Sequence, residues 1–125
     1  MRALLLIAHG SRRLQSNQEI ERLSMMLAQR ASERYTWVGY AFLELVQPDI
    51  LTSVQLAVQA GAQELIVLPY FLAPGSHVVE DIPRLLALAQ QRYPQLKIQL
   101  RPYLGSAEQL PELLLQLAEG ERLPS

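Results

Sequence analysis

The chain has 125 residues, of which 50% are hydrophobic and 18% are charged, with a formal net charge of −1 at pH 7 and no cysteine. The near-neutral charge gives no electrostatic sign of a nucleic-acid or anionic-membrane partner. The lack of cysteine excludes disulfides, thiolate zinc sites, iron–sulfur clusters and cysteine nucleophiles, so histidines and carboxylates are the available metal ligands.

The length and apolar content predict a single globular domain over residues 1–125. The apolar run after Met1-Arg2 is too short for the hydrophobic region of a signal peptide. No run approaches the roughly 20 apolar residues of a membrane span. We therefore expect a cytoplasmic protein with no membrane partner.

In the first half of the chain, a strand, a helix and a second strand follow one another. Residues 2–8 are continuously apolar, which is typical of a parallel strand buried on both faces. Ser16-Asn17-Gln18-Glu19 is a candidate capping box for the first helix. Apolar residues follow at helical spacing: Ile20, Leu23, Leu27 and Ala31. Residues 36–45 are rich in aromatic and β-branched types and predict a second strand, closed by Pro48.

In the middle of the chain, Asp49 is a candidate N-cap for a second helix, which Gly61 ends. Its inward positions are Ile50, Val54, Ala57 and Val58. A third strand is predicted over residues 64–71. A third helix is expected to begin near Asp81, its candidate N-cap, to carry Leu85, Leu86 and Ala89, and to end before Pro94.

The last part of the chain predicts a fourth strand over residues 97–103 and a final helix. That helix begins at about Ser106 or Leu110, ends at Glu119 and is followed by Gly120 as its stop. Its apolar positions are Leu110, Leu113, Leu114 and Leu117.

Four strand–helix units in series predict an α/β fold of three layers, a four-stranded parallel sheet with flanking helices, with a possible flavodoxin-like strand order 2-1-3-4. Ligands of such open sheets bind outside the carboxyl ends of the strands. His9 follows the first strand, Glu44 ends the second, His77 follows the third and Tyr103 ends the fourth. We therefore expect these side chains to collect on one rim of the sheet.

His9 and His77 are the only histidines in the chain. Imidazole is the commonest metal-ligating side chain, so two rings facing one cleft predict a divalent transition-metal site, with Glu44 or water in another position. Such a set lacks the closed ligand shell of a structural zinc site and suits a metal that arrives and leaves. Glu44 could also accept protons from a substrate. The structural alternatives are a His9 that caps backbone carbonyls and a Glu44 that pairs with an arginine.

Three further segments are candidate ligand contacts. Gly10-Ser11-Arg12-Arg13 precedes the first helix, where its amides and guanidiniums could hold carboxylates or phosphate, although an ordinary turn would look the same. Residues 74–83 form a loop longer than the usual two to six residues, which favours a binding loop. At the rim, Leu72, Ser76 and Tyr103 are candidate ligand contacts, and Tyr103 could stack on a flat molecule.

Taken together, these motifs resemble the short form of the sirohydrochlorin chelatases, the CbiX/SirB group of the class II tetrapyrrole chelatases. The resemblance covers nearly the whole chain. It rests on Ala8-His9-Gly10-Ser11-Arg12 with Asn17, on Phe42-Leu43-Glu44, on Leu68-Pro69-Tyr70-Phe71-Leu72, and on Gly75-Ser76-His77-Val78 with Asp81-Ile82-Pro83. The combination is specific, whereas each piece alone is not.

The resemblance implies insertion of cobalt or iron into sirohydrochlorin, on the way to cobalamin or siroheme. It implies that the divalent metal is a substrate, that no cofactor is tightly bound, and that a chain of this length works as a homodimer. His9 and His77 would bind the metal and Glu44 would assist deprotonation of the macrocycle. Because sirohydrochlorin carries many carboxylates, Arg12, Arg13 and Arg101 are candidate anchors.

Two other functions fit the same residues. A carrier could hold the metal or tetrapyrrole at His9 and His77 without accelerating insertion. A phosphatase could use His9 as a phosphohistidine nucleophile, although such enzymes typically have an arginine just before the histidine and Ala8 stands there instead.

Overall fold

The computed structural model describes residues 1–120 of the chain. Its strands and helices alternate along the sequence as β1 (Arg2–Ala8), α1 (Leu14–Arg30), β2 (Trp37–Phe42), α2 (Ile50–Gln59), β3 (Glu64–Pro69), α3 (Ser76–Arg92), β4 (Lys97–Leu100) and α4 (Leu110–Glu119). A short 3₁₀ turn at Leu104–Ser106 joins β4 to α4. The alternation of four strands with four helices is the one that the sequence predicts.

The four strands form one parallel sheet in the order β2-β1-β3-β4, which confirms the predicted order. β1 lies between β2 and β3, and its residues from Ala3 to Ala8 are all buried, which explains their continuous apolar character. The chain leaves β1 toward β2 but leaves β3 toward β4. The strand order therefore reverses between β1 and β3, where the loops diverge and open a crevice.

Apolar clusters lie on both faces of the sheet. The larger one includes Leu5 and Ile7 of β1, Val54 of α2 and Leu86 of α3. The smaller one joins Leu6 and Phe42 of the sheet to Ile20 of α1. Helices therefore cover the central strands on both sides, as a three-layer α/β fold requires.

Two helix starts differ from the predictions. α1 begins at Leu14, so Ser16 lies inside the helix and is not its N-cap. α3 begins at Ser76 rather than near Asp81, because Gly75 has the extended conformation of an N-cap and the buried stripe of the helix already starts at Val78. Asp81 therefore lies in the second turn of α3, and the expected long loop over residues 74–83 is mostly helix.

Three strands are shorter than predicted. β2 ends at Phe42, β3 at Pro69 and β4 at Leu100. Beyond β2 the chain turns sharply, since Leu45 has φ of 74° and the main-chain nitrogen of Val46 donates to the oxygen of Glu44 at 2.9 Å. Glu44 therefore lies in a turn after the strand, not in the strand itself.

The start of α2 and the end of α4 agree with the predictions. The Asp49 side chain accepts a hydrogen bond from the Thr52 nitrogen at 2.9 Å, as an N-cap does. Gly120 follows α4 in the left-handed conformation with φ of 75°. Within the described chain, however, no residue of α4 is buried, and Leu114, Leu115 and Leu117 are all more than half exposed. Between Met1 and Gly120, no helix is long and apolar enough to cross a membrane.

Candidate metal and tetrapyrrole site

His9 and Glu44 meet where two neighbouring strands end. Ala8 of β1 lies opposite Phe42 of β2, so the residues that follow them emerge side by side. The Glu44 nitrogen donates to the main-chain oxygen of His9 at 3.1 Å. The side chains also meet, with His9 Nε2 3.1 Å from Glu44 Oε1 and the two side chains 52% and 57% exposed. An imidazole and a carboxylate are thus placed together and open to solvent, as a metal-exchange site needs.

Gly10 makes this close approach possible. Its φ of 96° is a left-handed conformation, and a Cβ there would clash with the main-chain oxygen of Glu44. The turn after β1 is therefore pressed against the turn after β2. A larger residue at position 10 would separate His9 from Glu44.

Asn17 closes the same turn from the side of α1. Its Oδ1 accepts a hydrogen bond from the Ser11 nitrogen at 3.0 Å, and its Nδ2 donates to the Ser11 oxygen at 2.7 Å. The Ser11 hydroxyl in turn accepts a hydrogen bond from the Arg13 nitrogen at 3.0 Å. The segment that follows His9 is therefore tied to the first turn of α1.

His77 has a different carboxylate partner. It is the second residue of α3, and its Nε2 lies 2.9 Å from Asp81 Oδ2, one helical turn later. The other oxygen of Asp81 lies 3.3 Å from the Arg84 guanidinium. The His77 side chain is 87% exposed, whereas that of Asp81 is only 23% exposed. The prediction of Asp81 as an N-cap is wrong, and its structural role is to hold His77 and Arg84.

The His77 helix also forms one wall of an apolar cavity of about 130 Å³. Val78, Val79 and Ile82 of α3 line one side, and Arg101 and Tyr103, which follow β4, line the other. The turn after β4 packs closely on the connection after β3, because a Cβ on Gly105 would clash with the main-chain oxygen of Leu72. An apolar recess with one guanidinium at its wall suits an apolar ligand that carries carboxylates.

The predicted site residues share one edge of the sheet, but they do not form one metal cluster. Within residues 1–120, no three histidine or acidic side chains lie close enough together to hold a metal ion. Each histidine has its own carboxylate instead, Glu44 for His9 and Asp81 for His77. The sequence signal for Asp81 was its spacing of four residues from His77, a signal that becomes useful only once both residues are known to be helical.

The remaining candidate ligand contacts surround these two pairs. Arg12 and Arg13 are exposed just before α1, and Ser76 is the exposed first residue of α3. Leu72 is 65% exposed in the connection between β3 and α3, and Tyr103 is 37% exposed at the cavity. The Glu44 side chain is more than half exposed to solvent and faces His9.

The chain is similar in sequence to proteins of one family. The sequence model of the CbiX family matches residues 3–120. A "Sirohydrochlorin cobaltochelatase" of Methanocaldococcus jannaschii is 39% identical over 95 residues, which cover 74% of this chain and 64% of the relative. A chloroplastic "Sirohydrochlorin ferrochelatase" of Arabidopsis thaliana is 35% identical over 102 residues, covering 82% of this chain and 44% of the relative. The chain thus spans less than two thirds of either relative.

Two solved structures are similar over nearly the whole chain. A CbiX protein of Marinobacter aquaeolei superimposes with a TM-score of 0.79 at 25% identity, covering 96% of both chains. The sirohydrochlorin chelatase SirB of Bacillus subtilis subspecies spizizenii, solved with cobalt, superimposes with a TM-score of 0.81 at 28% identity. That match covers 95% of this chain but 50% of SirB. From the family match over residues 3–120 and these similarities, the chain belongs to the CbiX family.

Proposed function

We propose that this protein is a chelatase that inserts a divalent metal, cobalt or iron, into sirohydrochlorin. The observation that carries the proposal is the exposed pair of His9 and Glu44, 3.1 Å apart at the carboxyl ends of β1 and β2. The names of the relatives and the cobalt complex of SirB support the same reaction. In this reaction the metal is a substrate, and no tightly bound cofactor takes part.

In the proposed mechanism, His9 and His77 bind the metal and Glu44 accepts protons. The ion takes the place of the Glu44 carboxylate beside the His9 imidazole, which then binds the ion. Asp81 stays on Nε2 of His77 and leaves Nδ1 for the ion, the arrangement in which a carboxylate orients a ligating histidine. Because His77 is 87% exposed, its ring has room to turn toward His9. The metal bonds to the macrocycle nitrogens as two pyrrole protons leave. The exposed Glu44 carboxylate takes up one proton and passes it to solvent before it takes up the second.

The macrocycle itself is held by the residues around the two pairs. The apolar cavity beside His77 accepts one edge of the ring system, with Tyr103 at its wall and Arg101 on a substrate carboxylate. The exposed Leu72, in the connection after β3, adds an apolar contact. Further carboxylates contact the anchors near α1 and α3, namely Ser11, Arg12, Arg13 and Ser76. Guanidinium and hydroxyl groups around an apolar cavity orient the macrocycle over the metal.

We also propose that residues 1–125 form one domain and that two copies pair as a homodimer. The exposed leucines of α4 support this pairing, and so does the length of SirB, of which this chain matches 50%. Size-exclusion chromatography with light scattering tests it: Leu117→Glu on α4 is expected to yield monomers. Leu88→Glu, at a 45% exposed leucine of α3, is the control and is expected to remain dimeric. A wild-type monomer would contradict the proposal.

We also propose that the protein is located in the cytoplasm, which cell fractionation tests.

The experiment that tests the reaction follows the visible spectrum of sirohydrochlorin with Co²⁺ or Fe²⁺ and catalytic amounts of protein. We expect insertion faster than in the protein-free control, with many turnovers per protein chain. A wild-type protein that binds the macrocycle but does not accelerate insertion would contradict the chelatase and favour the carrier.

A further inference from the structure

We propose that Asn17 is the positioning residue that fixes the turn after His9 and so holds the imidazole against Glu44. Asn17 is the only asparagine in the chain, and it lies in the first turn of α1. Its two polar side-chain atoms both form hydrogen bonds with the main chain of Ser11.

The two hydrogen bonds between the Asn17 side chain and the Ser11 main chain form a clamp on Ser11. One side-chain amide accepts from the Ser11 nitrogen at 3.0 Å and donates to the Ser11 oxygen at 2.7 Å. Because the nitrogen and the oxygen of Ser11 belong to the two peptide groups on either side of its Cα, the two hydrogen bonds fix the position and the orientation of both groups. Ser11 therefore cannot shift away from α1 without losing both bonds.

The fixed residue is two positions from His9, and the segment between them has little freedom to absorb a displacement. Gly10 lies against the main-chain oxygen of Glu44, and the His9 oxygen accepts from the Glu44 nitrogen at 3.1 Å. The turn is thus held by Glu44 on one side and by Asn17 on the other. Without the clamp, the turn keeps its contacts to Glu44 and the hydrogen bond from the Arg13 nitrogen to the Ser11 hydroxyl, but it loses both bonds to α1. We therefore expect the His9 ring to sample more orientations.

A second clamp in the same molecule provides the control. Gln90 on α3 donates from Nε2 to the Tyr93 oxygen at 3.0 Å and to the Leu96 oxygen at 2.7 Å. It is partly buried, as Asn17 is, and it lies before β4, at the opposite end of the sheet from His9. Gln90→Ala therefore removes a similar pair of bonds without touching the turn after β1.

The first test uses nuclear magnetic resonance of protein labelled with ¹⁵N-histidine, in which two rings give signals. In Asn17→Ala, we expect the His9 ring signals to shift or broaden while those of His77 stay unchanged. In Gln90→Ala, both sets of signals should match the wild type. Unchanged His9 signals in Asn17→Ala, or equal changes in Gln90→Ala, would overturn the proposal. This readout does not depend on any enzymatic activity.

The effect on catalysis rests on the proposed function and is measured separately. We expect Asn17→Ala to weaken Co²⁺ binding to the free protein and to lower kcat for insertion by about tenfold each, as loss of an outer-shell partner does. KM for sirohydrochlorin should change much less, and Gln90→Ala should match the wild type in all three quantities. If the His9 signals move but wild-type protein has no chelatase activity, the proposed function fails while the positioning role stands.

A further measurement on wild-type protein keeps the proposal testable if Asn17→Ala does not fold. The Ser11 amide is expected to exchange its hydrogen slowly, because it donates to Asn17. Exchange at the rate of an unprotected loop amide would show that the clamp is not formed and would overturn the proposal.

Discussion

The main-chain nitrogen of Glu44 donates to the main-chain oxygen of His9 at 3.1 Å, and the side chains of the same two residues also meet at 3.1 Å. The two residues are thus joined twice, once through the backbone and once through the proposed metal-binding and proton-accepting groups. The backbone bond extends the pairing of β1 with β2 beyond the strands themselves. The orientation of the site therefore depends on the register of the sheet.

Gly10→Ala is expected to destabilise the fold and to separate His9 from Glu44. Its Cβ would meet the Glu44 oxygen, and alanine also disfavours a φ of 96°. We expect a loss of about 1–3 kcal/mol in the free energy of unfolding. Gly61→Ala is the matched control, since Gly61 has φ of 97° with only the Met1 sulfur nearby at 3.9 Å. Urea denaturation of both variants measures the difference, and equal losses would show that the contact with Glu44 does not matter.

His9→Ala and His77→Ala are each expected to fold normally and to lose most of the metal insertion. Both rings are exposed, so their removal should change the free energy of unfolding by no more than about 0.5 kcal/mol. Thermal denaturation and the spectrum of sirohydrochlorin with Co²⁺ measure the two effects. Severe unfolding of either variant would indicate a structural histidine and contradict the ligand role.

Glu44→Gln should separate metal binding from proton transfer. The amide keeps the size of the side chain and can still bond to His9, but it cannot take up a pyrrole proton. We therefore expect kcat for insertion to fall by about a hundredfold, with Co²⁺ affinity changed far less. Stopped-flow spectra and isothermal titration calorimetry measure these quantities. Wild-type kinetics in this variant would remove Glu44 from the mechanism.

Asp81→Asn tests the carboxylate that orients His77. The uncharged amide can no longer hold both His77 and Arg84 by charge, so the ring should be less well placed. We expect Co²⁺ affinity to fall by about tenfold. Glu80→Gln removes a neighbouring exposed charge on the same helix and serves as the control. Equal effects of the two substitutions would point to a general loss of negative charge near the site.

Asp49 makes the free energy of unfolding depend on pH, and this dependence does not involve the candidate site. The pKa of Asp49 is lowered most by the hydrogen bond from the Thr52 side chain and next by the hydrogen bond from the Thr52 main-chain nitrogen. The charged form is therefore favoured in the folded state. Its contribution is present above the ordinary pKa of about 3.9 and is lost as the pH falls through the lowered folded value.

Two substitutions of Asp49 distinguish the hydrogen bond that caps α2 from the negative charge of the carboxylate. At pH 7, Asp49→Ala should cost about 1 kcal/mol in the free energy of unfolding. Asp49→Asn should keep most of the cap, while the stability of the variant should fall less than that of the wild type between about pH 4 and pH 2. Urea denaturation over this range measures both. A pH dependence unchanged in Asp49→Asn would contradict the role of the charge.

Much of the fold could be predicted because its signals are local. The buried run of β1, the Asp49 cap and the Gly120 stop each depend on residues close together in sequence, and each is present in the structure. The start of α3 was missed because residues 74–83 look like a loop, with glycine at one end and proline at the other. The stripe of Val78, Ile82, Leu86 and Ala89 is the signal that identifies them as mostly helical.

The sequence predicts which residues belong to the candidate site, but it does not predict which of them contact each other. The order of the strands brings His9, Glu44 and His77 to one edge, and that order follows from the alternation of strands and helices. The clamp by Asn17 was missed because its sequence context resembles a helix cap.

The α/β architecture and the residues that follow each strand could be predicted from the amino-acid sequence, because apolar periodicity and helix stops are properties of short segments. The pairing of His9 with Glu44 and of His77 with Asp81 is established only in the folded chain. The choice of partner depends on separations of a few ångströms between turns, which are set by strand register, by the space that Gly10 leaves and by the point at which α3 begins. Such contacts act only over short distances. The pattern along the chain therefore indicates the pair of His77 and Asp81 only once the start of α3 is known, and it does not indicate the pair of His9 and Glu44.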